Sequence, residues 1–233
     1  MKRTVIVLLF SFALLSLYSQ NVPSKKEQKA QKVADLQITA LKNEGNKALG
    51  MKDYKTALAK FESALAIWGN QPADNAMIYS MGTCAYSLND MPKALKYFDR
   101  CITAGYNLDM AYQYKGCVMQ AHKDTLGYVK TLKEGLSKVP DSKAMKASLT
   151  KVYVAEGDTH YHKAIEILKN ATAQVKAGKI SSDDKAFKVE NEKARKELNE
   201  ALKLYNSCIE LTPNDEHTKK VRANCISQLQ MLI

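Results

Sequence analysis

The sequence predicts an all-α protein built as a stack of helical hairpins, and one recurring pattern of side chains carries most of that prediction. Ala57, Phe61 and Ala64 are spaced by four and then three residues, so they share one face of a helix. A face with the same small, large and small side chains returns at a near-constant period, which is typical of helical repeats. The later occurrences are Ala94, Phe98 and Cys101, then Ala164, Leu168 and Ala171, and finally Ala201, Tyr205 and Cys208.

The composition also favours long helices over a sheet with many turns. Only 5 Pro and 10 Gly occur among the 233 residues, so few positions break a helix. The body of the chain is rich in Ala, Lys, Leu and Glu, which are all good helix formers.

The first 19 residues have the composition of a secretory signal peptide. Lys2 and Arg3 precede an apolar run over residues 5–17, and the small residue Ser19 follows it. A charged n-region, a short apolar h-region and a small residue at the cut are the parts of such a signal. The run is shorter than the roughly 20 apolar residues of a membrane span. We therefore expect cleavage near Ser19 and export, with an uncleaved N-terminal membrane anchor as the alternative.

A polar segment, residues 20–35, leads into the first helix. Ser24 is a candidate N-cap because Glu27, three residues further on, completes a capping box. The helical pattern then runs to residue 48, and a second helix is predicted over residues 53–68, where a Gly and then a Pro follow.

Residues 36–175 are predicted to form four hairpins, of which these two helices make the first. The second unit covers residues 72–103, the third covers residues 109–140, and the fourth begins at Asp141, turns at Gly157-Asp158 and has its second helix over residues 161–175.

The regular pattern ends at a predicted loop over residues 176–184, where Ser and Asp offer an N-cap to a new helix. Residues 185–211 contain no Gly or Pro, which predicts one long helix that Pro213 stops. A last amphipathic helix, at about residues 216–232, is expected to cap the open end of the stack, so that residues 185–233 form a long helix and a capping helix.

The charge pattern favours solvated helix faces over a nucleic-acid site. The formal net charge is +11, but lysines alternate with acids along the helices, as they do over residues 185–200. There is no basic arm and no interleaving of aromatic with basic residues, so we expect no nucleic-acid partner.

Five cysteines are present, an odd number for a set of disulfides. Cys101 and Cys208 occupy the small-residue position of the recurring face, which predicts small core side chains. A disulfide between Cys84 and Cys101 stays open as a hypothesis, because they fall on the two helices of one predicted hairpin.

No motif for catalysis, cofactor binding or metal binding is present. His160 and His162 are two residues apart, and on a helix their side chains diverge by about 200°, so they do not form a ligand pair. The chain has no HExxH, no GxSxG, no phosphate-binding loop and no paired-carboxylate motif. We expect no enzyme, no cofactor and no metal site.

The recurring residues resemble the consensus of the tetratricopeptide repeat (TPR), and the resemblance covers about residues 36–213. In the first unit Gly45, Tyr54, Ala57, Phe61 and Ala64 stand at the fixed offsets of that repeat. The third unit departs from it, with Tyr128, Leu132 and Gly135 at the small, large and small positions. The other matching positions are Gly82, Asp90, Ala94 and Phe98; Gly116, Asp124 and Pro140; Gly157, Asp158, Tyr161, Ala164, Leu168 and Ala171; and Ala201, Tyr205, Cys208 and Pro213.

The resemblance implies a right-handed α-α superhelix whose concave groove is lined by the first helix of each hairpin. In some members of the family this groove grips the C-terminal carboxylate of a partner peptide. Lys42 and Asn46 match the first two positions of that clamp. Ser80, Met110 and Tyr114 stand where the clamp needs Asn, Lys and Arg, so we do not expect carboxylate binding.

A set of tyrosines on predicted first helices is the better candidate for a groove surface, because Tyr offers contact area and a polar tip. The alternative is that several of them fill hairpin cores. The candidate groove residues are Lys42, Asn46, Tyr79, Tyr86, Tyr112, Tyr114 and Tyr153.

The expected function is that of a non-enzymatic protein-binding or scaffolding module in the bacterial cell envelope, with the periplasm as its location. Its partner would be a protein or peptide held in the groove. Two alternatives stay open: an envelope assembly or secretion accessory tethered to the inner membrane, and a helical domain that binds anionic glycan or lipid through its lysines.

Overall fold

The computed structural model describes residues 24–69 and 74–232, and over these residues the chain forms nine helices and no strand. The predicted signal peptide and the Pro of residue 72 lie outside the described residues. The helices are α1 (Lys25–Gly50), α2 (Tyr54–Trp68), α3 (Asn75–Ser87), α4 (Met91–Thr103), α5 (Leu108–Ala121), α6 (Thr125–Lys138), α7 (Lys143–Lys176), α8 (Lys185–Leu211) and α9 (Glu216–Gln230).

The chain divides into two compact units, residues 1–100 and residues 101–233. The predicted capping box is present at the start of α1. The Glu27 amide donates to Ser24 Oγ at 3.3 Å, and the Ser24 amide donates to Glu27 Oε2 at 2.7 Å. These bonds satisfy two of the amide groups that a helix start leaves without an intrahelical partner.

In residues 1–100, a glycine on the first helix of each hairpin packs against a phenylalanine on the second. A Cβ atom on Gly45 would lie 2.5 Å from Phe61 Cε1, and one on Gly82 would lie 2.8 Å from Phe98 Cε1. Both rings are fully buried. Only glycine permits this approach, because any Cβ at these positions would overlap the ring.

The small residues of the recurring face lie where the sequence places them. Ala57, Ala64 and Ala94 have no exposed surface. The second helices of the two hairpins are joined by polar contacts as well, since Glu62 on α2 accepts a hydrogen bond from the Tyr97 hydroxyl at 3.0 Å and an ion pair from Lys93 at 2.9 Å. Burial and the hydrogen bond to Glu62 raise the pKa of Tyr97.

In residues 101–233, α5 and α6 form a hairpin of the same kind. A Cβ on Gly116 would meet the Tyr128 ring at 3.1 Å and Leu132 Cδ2 at 3.4 Å. Gly135 takes the last small position of the face, and Tyr112 packs over it with Cβ at 2.9 Å from where a Cβ of Gly135 would stand. The departures from the consensus in this hairpin therefore keep the same close contact with different side chains.

The predicted turn at Gly157-Asp158 is wrong. α7 runs without a break from Lys143 to Lys176, and Gly157 is a buried residue inside it. Glycine is tolerated within a helix when close packing needs it, and a Cβ on Gly157 would lie 2.7 Å from Tyr205 Cε1 on α8. The ring of Tyr205 is fully buried there.

The predicted fourth hairpin and the long helix after it are therefore parts of one hairpin, α7 with α8. Phe61 follows Gly45 by 16 residues, whereas Tyr205 follows Gly157 by 48. The difference is an insertion of 32 residues at the hairpin turn. Ala164 and Ala171 are buried as predicted for a packing face, but they lie on the first helix of this long hairpin. The half-buried Leu168 lies on the same helix.

The two prolines of the pattern each stand two residues beyond the end of a second helix. Pro140 follows α6, which ends at Lys138, and Pro213 follows α8, which ends at Leu211. Both are exposed, and Pro is common at this place because it cannot continue the helix.

The last helix, α9, packs on α8. Thr218 and Cys225 are fully buried, and the Cys225 thiol donates to the Leu198 carbonyl at 3.2 Å. Val221 and Leu229 pack partly buried against the same cluster. α9 thus covers an apolar face of α8, as the sequence predicts for a capping helix.

None of the five cysteines, all of which lie in the described residues, forms a disulfide. Four of them, Cys84, Cys101, Cys208 and Cys225, have no exposed surface. Burial raises the pKa of Cys84, Cys208 and Cys225 to about 11, which keeps these thiols protonated at neutral pH. Over the part of the chain that the structure describes, no helix is both long enough and apolar enough to cross a bilayer.

Replacing Gly157 by Ala should destabilise the protein by about 1–3 kcal/mol, because the new Cβ overlaps a ring that has no room to move. The matched control is Gly50→Ala at the exposed end of α1, where a Cβ would have no neighbour within 4 Å. That change should cost nothing and gain up to about 1 kcal/mol in helix propensity. Urea unfolding of both variants measures the difference, and a Gly157→Ala protein as stable as Gly50→Ala would contradict the close helix contact.

Candidate functional site

Lys42, the first of the predicted groove residues, is held inside the stack of helices. Its ammonium pairs with the Asp74 carboxylate, and it lies 5.5 Å from the centroid of the Trp68 ring. Asp74 is also the N-cap of α3 and accepts from the Met77 amide at 3.0 Å. Lys42 therefore links α1 to the end of α2 and the start of α3, whereas its neighbour in the predicted clamp, Asn46, is exposed.

Two of the five predicted groove tyrosines are core residues instead. Tyr112 and Tyr153 are 5% and 8% exposed and belong to one apolar cluster in residues 101–233. Each stands four residues before the glycine of its helix, Gly116 or Gly157, so it shares the face that packs on the second helix. The Lys133 ammonium lies 5.6 Å from the centroid of the Tyr153 ring.

The other three tyrosines, Tyr79, Tyr86 and Tyr114, are half-buried on first helices. The Tyr79 ring meets the Phe98 ring edge to face, with 6.1 Å between the ring centroids. This tyrosine thus also supports the hairpin core of residues 1–100, while it keeps part of its surface open.

The most apolar open surface in residues 101–233 is a cleft of about 550 Å³ where α6 begins beside α7. Leu126 is 85% exposed at its edge. Val129 and Val152 line it, and Gln120 and Glu156 are among its polar residues. We call this cleft 1. Its apolar interior and polar margin are typical of a surface that holds an apolar side chain of a ligand.

A second cleft of about 490 Å³, cleft 2, lies on the neighbouring side of α7, against residues 212–217. Lys151 and Ala155 line both clefts, so they form the ridge between them. Val154 lines the apolar part, and Asp158 and His217 lie at the polar part. Lys151 is exposed, and no ion pair to it is formed within the described residues.

Asp158 is fixed by a core residue. The Tyr205 hydroxyl donates to Asp158 Oδ1 at 2.7 Å. Burial, followed by this hydrogen bond, raises the pKa of Tyr205. The contact joins cleft 2 to the Gly157–Tyr205 packing, so the floor of the cleft is rigid.

A polar cluster joins α7 to α8 beyond the clefts. Glu197 Oε2 lies 2.6 Å from His160 Nδ1, and Glu197 Oε1 lies 2.6 Å from the Lys163 ammonium. Hydrogen bonds from Lys163 and then His160 hold the pKa of Glu197 below its ordinary value. Within the described residues no group of three or more His, Cys, Asp or Glu side chains is placed to hold a metal ion.

The sequence interpretation missed Leu126, Val129 and Val152. Leu126 follows the Asp124 N-cap of α6 directly, so its place at the start of a helix was readable from the sequence. Its exposure was not, because that depends on which neighbouring helix covers the first turn of α6.

A solved structure that resembles the chain is that of a TPR-repeat protein from Bacteroides fragilis, with a TM-score of 0.58 and 25% sequence identity over 82% of this chain and 98% of that one. A tetratricopeptide-repeat protein from Parabacteroides merdae gives a TM-score of 0.46 at 12% identity, over 84% and 74% of the two chains. A complex of the yeast Sti1 TPR2AB domain with pHSP90 gives 0.38 at 15% identity, over 84% and 83%. No protein-family model and no curated protein sequence matches the chain.

The fold and the surfaces define a helical-hairpin repeat protein whose open clefts flank a first helix. The contact of a first-helix glycine with a second-helix ring recurs at the offsets of the TPR consensus, and the Bacteroides fragilis protein shares the fold over most of both chains. The chain is a tetratricopeptide-repeat protein. Its fold is one of protein–protein interaction modules, which are typically scaffolds without catalytic activity.

The ion pair of Lys42 predicts a pH-dependent contribution to stability. Burial opposes ionisation of Asp74, but hydrogen bonds from Lys42 and from the Met77 amide outweigh it, so the pKa of Asp74 lies below its ordinary value. A lowered carboxyl pKa stabilises the fold above the ordinary range near 3.9 and loses that effect as the pH falls through the folded pKa. Asp74→Asn keeps the N-cap and should cost about 0.5–1 kcal/mol at pH 7, with the gap closing toward pH 3.

Urea unfolding at pH 7 and pH 3 measures this effect. Asp53→Asn is the matched control, because Asp53 caps α2 through the Thr56 amide and has no ion pair within the described residues. A loss for Asp74→Asn that is no larger than the loss for Asp53→Asn, or that persists unchanged at pH 3, would refute the stabilising role of the Lys42 pair.

Proposed function

We propose that the protein is a non-enzymatic binding module that holds an apolar segment of a partner polypeptide across clefts 1 and 2. The single observation that carries the proposal is the pair of adjacent clefts on α7, with Leu126 85% exposed at the edge of one of them. An exposed leucine beside an apolar cleft contributes about 1.5–3 kcal/mol when a partner covers it fully.

The geometry limits the kind of segment that fits. Clefts 1 and 2 are separated by the ridge of Lys151 and Ala155, so a segment that crosses the ridge would place one apolar side chain on each side. The Lys151 ammonium on that ridge suits a carbonyl or carboxylate group of the segment. A tight clamp on a C-terminal carboxylate is not part of this proposal, because Lys42 already pairs with Asp74.

We also propose that this module works in the bacterial cell envelope, most simply in the periplasm. Support comes from the sequence of residues 1–19, which combines a charged start, a short apolar run and Ser19. The alternatives are a protein anchored in the inner membrane by the same segment and a protein that is secreted.

The clefts should be tested by site-specific photocrosslinking in the native host, with a photoreactive residue at Gln120, which lines cleft 1. We expect an adduct of discrete mass at Gln120 and none at Lys138, an exposed residue at the far end of α6. Leu126→Ser should reduce the adduct by about 10-fold or more, because the partner loses a buried leucine contact.

The matched control is Leu88→Ser, which removes an exposed leucine, 41% accessible, from residues 1–100. It should leave the Gln120 adduct unchanged. Equal adducts at Gln120 and Lys138, or an adduct insensitive to Leu126→Ser, would show that the clefts are not the binding surface.

Export should be tested by N-terminal sequencing of the protein purified from its native host. We expect the mature chain to begin just after Ser19, and Ser19→Arg should retain the leader because a signal peptidase needs a small residue there. A mature chain that still contains Lys2 and Arg3 would rule out cleavage and favour the membrane-anchored alternative.

A further inference from the structure

The end of the α7–α8 hairpin, residues 168–189, is the least covered part of residues 101–233. We call it the hairpin tip. From residue 169 to residue 190 only Ala171 is buried. The tip holds the greater part of the 32-residue insertion, so the fold did not need it to close the Gly157–Tyr205 contact.

The hairpin tip carries an excess of positive charge. Two aspartates, Asp183 and Asp184, oppose five lysines there, and the Asp184 carboxylate accepts from the Ser181 amide at 2.6 Å. No ion pair forms to any of the five lysines within the described residues. They are Lys169, Lys176, Lys179, Lys185 and Lys188.

The base of the same hairpin is different, because its lysines are paired. Lys163 lies 2.6 Å from Glu197, and Lys193 lies 2.7 Å from Glu190. The unpaired charge is thus confined to the tip and is not a general property of the two helices.

Apolar side chains stand beside these lysines on both helices. On α8, Lys185, Lys188 and Val189 line one shallow surface, and Val189 is 43% exposed. On α7, Lys169 and Lys176 line a groove whose apolar part includes Leu168. Lysines next to exposed apolar side chains are the combination with which helices bind an anionic membrane surface.

We propose that the hairpin tip is a docking site for an anionic lipid surface. The lysines are spread over the end of α7, the loop and the start of α8, so an extended surface of phosphate groups meets several of them at once. An acidic peptide laid along one helix would meet only part of the set. The proposal concerns a different surface from clefts 1 and 2 and does not depend on what those clefts bind.

The test is cosedimentation of the full-length protein with vesicles of phosphatidylcholine containing about 40% phosphatidylglycerol, compared with phosphatidylcholine alone. We expect binding to the anionic vesicles that collapses between about 50 mM and 500 mM salt, because screening shortens the reach of the charges. Replacing all five tip lysines by Gln should weaken this binding by at least about 30-fold.

The matched control replaces five exposed lysines elsewhere by Gln, so that both variants lose the same charge. It should keep most of the binding, and circular dichroism confirms that both variants are folded. The control positions are Lys47, Lys55, Lys138, Lys143 and Lys220. Because residues 1–23 are present in all three proteins, any binding through the leader is common to them.

Equal loss in the two variants would mean that only net charge matters, and it would overturn the proposal. Binding to neutral and anionic vesicles without distinction would overturn it too. Failure to bind anionic vesicles, together with salt-sensitive binding of polyglutamate, would assign the tip to an acidic protein instead of a lipid surface.

Discussion

Every hairpin of this protein depends on one contact, in which a glycine of the first helix lies against a large side chain of the second. A Cβ would come within 2.5 Å of the ring at Gly45 and within 2.7 Å at Gly157. Glycine inside a helix costs about 0.5–1 kcal/mol in backbone entropy. Full burial of the Phe61 ring contributes about 1.5–3 kcal/mol, which more than offsets that cost.

The contact fixes the base of a hairpin and leaves its length open. In α7 and α8 each helix continues roughly four turns beyond the point where the first hairpin turns, without changing how Gly157 meets Tyr205. The added length is held by local contacts. Glu197 bridges His160 and Lys163, and the small buried side chains of α7 let α8 approach closely. An insertion that lengthens both helices equally leaves the neighbouring helices in place, and α9 still packs on α8.

The sequence predicts the contacts between helices well because they depend on local spacing, and it predicts their topology less well. Gly157 followed by Asp158 has the same letters whether it turns or packs, and only the later Tyr205 shows which glycine partner is used. Tyr112 and Tyr153 were predicted as groove residues, yet their place four residues before a glycine assigns them to the core. The exposure of Leu126 was beyond the sequence, because it is set by which helix leaves the first turn of α6 uncovered.

The long helix α7 separates the two proposed activities in space. Lys151 stands on the ridge between the clefts and Lys176 stands at the tip, and at 1.5 Å per residue they are about 38 Å apart along the helix. The Debye length near physiological salt is about 8 Å, so the charges of the tip do not act on a ligand in the clefts. Selectivity for a partner must therefore come from the apolar shape of the clefts and from Lys151, while attraction to a surface comes from the tip. The insertion adds the second property to the fold without altering the first.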